Sequence, residues 1–208
     1  MKKLILFSFF LCPFLFLSAQ VDQSQPKRFD FGKMWTFENP PKEWFKEAYN
    51  FTPEDQWYED VRKSSLRFAS WCSASFVSPN GLIMTNHHCS RDVVTPLQKE
   101  GENFDKNGFY ATTLADERKA EGLFVEQLIQ VADISDRVIK MMDKAKDDNE
   151  RKVYQDSALA QISREYQQKE NWKGLRTQTV TFYSGGRFSI YGYKKFSDIR
   201  LVFIPETD

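Results

Sequence analysis

Trp71-Cys72-Ser73-Ala74-Ser75-Phe76-Val77, Ser78-Pro79-Asn80-Gly81, Leu82-Ile83-Met84-Thr85 and Asn86-His87-His88-Cys89 follow one another without a gap, and this stretch decides how the chain is read. Trp71 to Val77 and Leu82 to Thr85 are short β-prone runs. Between them Pro79 presets its own φ and Asn80-Gly81 tolerates positive φ, so Ser78 to Gly81 is a turn. The result is a β-hairpin with two adjacent histidines and a cysteine placed directly after its second strand.

Upstream of the hairpin, Asn39-Pro40-Pro41 can start a helix carrying Trp44, Phe45 and Ala48. Thr52-Pro53-Glu54-Asp55 offers an N-cap residue, a first-turn proline and first-turn acids, which predicts a second helix running to about Leu66. Its Trp57, Val61 and Ser64 or Ser65 at helical spacing read as a packing stripe. Downstream, Leu123 to Ile134 reads as a strand. Ser135 to about Glu170 is charged and helical, with Tyr154, Ala158, Ile162 and Tyr166 along one face. Three β-like runs follow, Thr177 to Tyr183, Arg187 to Tyr193 and Ile199 to Ile204, and Ser184-Gly185-Gly186 turns the first into the second.

A length of 208 residues suits one or two domains and excludes a large multidomain assembly. Lys and Arg (29) balance Asp and Glu (29), so no basic excess is present to condense on phosphates, and nucleic acid is not expected as a partner. Met1-Lys2-Lys3, the apolar run Leu4 to Leu17 and Ser18-Ala19-Gln20 read as a secretory signal peptide cut near Ala19, which implies a periplasmic or secreted protein with no membrane segment after cleavage. Cys12 leaves with the signal. Cys72 and Cys89 are then the only cysteines, and an oxidising compartment favours a disulfide between them.

Both histidines of the chain, His87 and His88, abut Cys89. Three readings compete. An imidazole near neutral pKa can take a proton from a serine hydroxyl and return it to a leaving amine, provided that it is held rigidly. A bond from Cys89 to Cys72 would supply that rigidity by pinning the histidine-bearing turn to the first strand of the hairpin. A zinc site is the second reading, but neighbouring side chains diverge and no further His or Cys is available, so no metal or cofactor is expected. A structural disulfide beside two ordinary histidines is the third.

The segment Trp71 to Val77, followed by Gly81 to Cys89, resembles the cysteine, hairpin and Thr-x-x-His-Cys arrangement of chymotrypsin-like serine proteases. A more particular likeness is to the bacterial family S46 of exported dipeptidyl peptidases. It is carried by Met34-Trp35, Asn39-Pro40-Pro41-Lys42, Arg67-Phe68, Ser75 to Leu82, Thr85-Asn86-His87-His88 and Asp198-Ile199-Arg200-Leu201-Val202-Phe203. The resemblance implies a double β-barrel serine exopeptidase that releases dipeptides from peptides with a free N-terminus, typically as a homodimer. By the Thr-x-x-His-Cys match the catalytic base would be His88, with His87 a structural neighbour.

A Ser-His-Asp triad also needs an aspartate to orient the imidazole and a serine to attack the carbonyl. The resemblance places the aspartate after the Arg-Leu-Val-Phe run and a glycine-rich stretch, and the serine far later. Asp208 lacks that context. Ser184-Gly185-Gly186 lacks a glycine two residues before the serine and reads as a hairpin turn, and Asp133 and Asp136 read as surface charges.

The expected plan is therefore a signal peptide (1–19), a leader with helices (20–70) and a partial chymotrypsin-like β-barrel (71–208) in a mainly β, α+β chain. It represents the N-terminal part of a serine dipeptidyl-peptidase and is inactive alone. A noncatalytic secreted protease-like binding module is the alternative.

Overall fold

The structure, a computed structural model, describes residues 35–206; the expected signal peptide, residues 20–34 of the leader, and Asp208 lie outside them. From Trp35 onward the chain forms one compact unit. Two short helices lead, α1 (Lys42–Tyr49) and α2 (Asp55–Ser64). Helix α2 starts two residues later than Thr52-Pro53 predicts, with Glu54 at the N-cap. It also ends before Leu66. Ser65 turns extended, and Ser65–Phe68 is a strand, β1, whose Leu66 and Phe68 are buried while Ser65 and Arg67 are only partly covered. That alternation is the period of a half-buried strand, and it overrides the helical continuation.

The hairpin follows as β2 (Cys72–Phe76) and β3 (Ile83–Thr85), paired Ala74 to Thr85, Ser75 to Met84 and Phe76 to Ile83. Gly81 closes the turn at a φ of 87°, and the Leu82 N–H donates to the Ser78 hydroxyl. The chain then forms α3 (His87–Val94), α4 (Phe104–Asn107) and the two-residue strands β4 (Phe109–Tyr110) and β5 (Arg118–Lys119). Strand β6 (Val125–Asp133) leads into α5 (Ser135–Met142) and α6 (Asp148–Gln167).

The single helix expected from Ser135 to Glu170 is thus a helical hairpin. It breaks because the Asp147 carboxylate accepts from the Glu150 N–H and caps a new helix. Strands β7 (Arg176–Phe182) and β8 (Arg187–Phe196) complete the main sheet, and the last expected strand divides into β9 (Arg200–Leu201) and β10 (Phe203–Ile204).

Six strands make one antiparallel sheet in the order β3-β2-β1-β6-β8-β7, while β10 pairs with β4 and β5 with β9. The α+β class holds. The barrel does not close by hydrogen bonding among the described residues, since β3 and β7 are opposite edges. Residues between β3 and β6, which could supply closing strands, fold as short helices and irregular connections and pair their two brief strands with β9 and β10.

One face of β6 and β8 is covered by the helical hairpin, with Val138, Ile134, Phe188 and Ile190 sealed between them. Ala158, Ile162 and Tyr166 of the predicted α6 stripe are buried there, and Tyr154 is only partly covered. Gly192 of β8 lets Trp172 approach, because a Cβ there would lie 2.9 Å from the indole. On the opposite face Glu38 accepts hydrogen bonds from Ser189 and Tyr191. Burial, reinforced by that carboxylate, pushes the Tyr191 hydroxyl well above its ordinary range and keeps it a donor.

Candidate active site

The two histidines begin α3. Asn86, in extended conformation, is the N-cap residue, and the Cys89 N–H donates to its carbonyl, closing the first turn. Within that turn the side chains diverge. Cys89 is 4% exposed and lies in a core cluster with Leu66, Phe68, Ala69, Leu123 and Val125, His87 is half-buried, and His88 is exposed. A histidine one position before a fully buried cysteine has no room to share its face, so the packing of Cys89 turns His88 outward.

Two bonds hold this turn to the hairpin, and a third braces the hairpin just before it. Cys72 and Cys89 form a disulfide with Cα atoms 5.9 Å apart, crossing from the first residue of β2 to the first turn of α3. The Trp71 indole N–H donates to the Cys89 carbonyl at 3.2 Å. The Thr85 hydroxyl donates to the Ser73 carbonyl at 2.8 Å, locking the end of β3 just before the helix. A ring nitrogen of His88 lies within 4.8 Å of both sulfurs. Those sulfurs are bonded to each other and carry no thiolate to offer a metal, so the cluster does not fit the zinc reading.

Among the described residues neither histidine ring is hydrogen-bonded to a carboxylate or a hydroxyl. Asp133 accepts from the Ser135 N–H and hydroxyl and pairs with Arg187. Its burial favours the neutral acid, but the Ser135 and Arg187 contacts outweigh that and hold the carboxyl below its ordinary value. Asp136 is exposed. Tyr183 to Gly186 is the loop between β7 and β8, a hairpin turn with Tyr183, Ser184 and Gly185 all at positive φ.

One relation has no signal in the local sequence. Leu201, from the Asp198 to Phe203 run, and Ile204, just after it, pack with Val94 at the far end of α3. At 1.5 Å per residue that contact is roughly 9 Å along the helix from His88.

Residues 29–208 match the model of the peptidase S46 family. The chain belongs to that family. Among S46 relatives it is 26% identical over 147 residues to dipeptidyl-peptidase 7 of Capnocytophaga gingivalis, covering 70% of this chain and 20% of the relative. It is 29% identical over 147 residues to an Asp/Glu-specific dipeptidyl-peptidase of Porphyromonas endodontalis, with the same coverage. The crystal structure of Porphyromonas endodontalis DPP11 in complex with substrate superposes with a TM-score of 0.65 at 26% identity, over 85% of this chain and 27% of that one. The chain spans about a fifth of the length of these curated S46 relatives.

Proposed function

We propose that this chain is the histidine-bearing part of an exported serine-type dipeptidyl peptidase that releases dipeptides from free peptide N-termini. The observation that carries the reading is the solvent-facing His88, held on a helix turn that a disulfide ties to strand β2. In this role His88 takes the proton of a serine hydroxyl as the hydroxyl attacks the scissile carbonyl, and returns it to the leaving amine. The brace matters because general-base catalysis needs the ring within hydrogen-bond reach of that hydroxyl throughout.

The serine, the orienting aspartate and the oxyanion donors come from the remaining length that S46 relatives possess. The packing of Leu201 and Ile204 on α3 supports this for the aspartate, since a chain continuing past them starts beside the helix of His88. By itself the chain is then a binding and positioning part without turnover. Family resemblance and the N-terminal leader support a periplasmic or secreted location, and the full-length form acts as a homodimer without nucleic acid or membrane partners.

The test is His88→Ala in the full-length peptidase. We expect turnover to fall by roughly six orders of magnitude with peptide affinity retained, as removal of a triad base does. Turnover within tenfold of the parent enzyme would remove His88 from the mechanism.

A further inference from the structure

Directly across the sheet, Ser73 of β2 faces Arg67 of β1, Arg67 faces Glu126 of β6, and Glu126 faces Lys195 of β8. Residues opposite one another share a face, so this single rung brings two cations to either side of one carboxylate. Arg176 of β7 joins them from the next rung. Its guanidinium donates to both oxygens of Glu126 at 2.6 Å, and Glu126 is 4% exposed. The bidentate pair neutralises Glu126.

Arg67 lies 3.8 Å from the same carboxylate and gives a hydrogen bond to Gln178. Among the described residues Lys195 has no ion pair; its ammonium stands 4.1 Å from the Phe124 ring centre. These groups line an open cleft of about 670 Å³ whose rim includes Trp71 and Cys72. The cleft therefore carries an excess of positive charge, an exposed cation and an indole, and its rim reaches the disulfide beside His88. A Cys72 sulfur lies within 4.8 Å of the His88 ring.

Resting on the peptidase reading, we infer that this cleft binds the leaving side of the substrate through its carboxylates, the C-terminal one above all. The released dipeptide begins with an α-ammonium, which a cationic cleft repels. The remainder of the peptide carries an obligatory terminal carboxylate, which Lys195 and Arg67 attract, while Trp71 and Phe124 offer apolar surface to the chain leading to it.

The test measures binding in the full-length His88→Ala peptidase, so that peptides are not consumed. Calorimetry compares two hexapeptides with the same first two residues, one ending in Glu with a free carboxylate and one ending in an amidated Gln. We expect the acidic tail to bind about fivefold tighter, as an exposed charge pair allows, and the ratio to shrink as salt rises. Lys195→Gln should bring the ratio towards one and Lys195→Arg should preserve it. A ratio near one in the parent background, or one that survives Lys195→Gln, overturns the assignment. So does equal binding of a peptide with an acid at position one or two and an amidated neutral tail, which would put the anion in the released dipeptide. Product formation by His88→Ala would instead count against His88 as the base, and it registers as turnover, separately from the ratio.

Discussion

The two ends of the six-stranded sheet are built differently. At the β6-β8-β7 end the strands run seven to ten residues, and residues 188–193 of β8 are buried without interruption. The helical hairpin seals one face there and Glu38 bonds to the other. At the β3-β2-β1 end the strands run three to five residues, no residue of β2 or β3 is fully buried, and the helix above them carries an exposed histidine. Both ends have a buried apolar cluster, but the β3-β2-β1 end adds a covalent tie to it. In its proposed role His88 has to face solvent, and a cross-link orders the backbone without covering the side chain.

Phe188→Ala should have the largest effect on stability. Phe188 is fully buried against the helical hairpin, and removing its ring should cost about 3–5 kcal/mol, read as a lowered denaturation midpoint. The double substitution Cys72→Ser with Cys89→Ser opens a link between residues 17 apart in sequence and should cost about 3 kcal/mol. Hydrogen exchange sharpens the contrast: amides of β2, β3 and α3 should lose protection while those of α5, α6 and β8 keep theirs. Uniform loss across the sheet would show that its ends are one cooperative unit.

Asp147→Ala removes the cap of α6 and should cost about 1 kcal/mol, with fraying confined to the first turn of that helix. The smallest effect is on acid stability. Hydrogen bonds from Arg118 and then from the Lys99 N–H hold the Glu102 carboxyl at about 2, below the ordinary 4.5. Because the folded value is the lower one, this contribution is complete above the unfolded value and is lost as pH falls from 4.5 towards 2. Melting curves of Glu102→Gln and the parent should therefore differ at neutral pH and converge in that window. A difference that stays constant down to pH 2 would mean that the Arg118 contact adds nothing through charge.

Much of this molecule follows from short-range signals. Pro79 and Asn80-Gly81 place the turn between β2 and β3, Ser184-Gly185-Gly186 places the one between β7 and β8, and the spacing of Ala158, Ile162 and Tyr166 gives the buried face of α6. Such features depend on φ preferences and on side-chain period, which a few neighbouring residues settle. The adjacency of His87, His88 and Cys89 to a hairpin was equally legible and marked the candidate site.

What the local pattern could not decide was partnership. Leu66 and Phe68 continue an amphipathic helix as well as they begin a strand, and pairing to β2 and β6 selects the strand. Ile199 to Ile204 reads as one strand, but its halves pair with different partners, β5 and β4, and bring Leu201 and Ile204 to the helix of His88. The gathering of Arg67, Glu126, Arg176 and Lys195 joins residues up to 128 positions apart through the register of four strands. Sequence by itself determined where the chain turns and which histidine to watch. The tertiary structure alone decided what surrounds that histidine, because contacts between distant residues are set by the competition of whole strands for neighbours, which no local window contains.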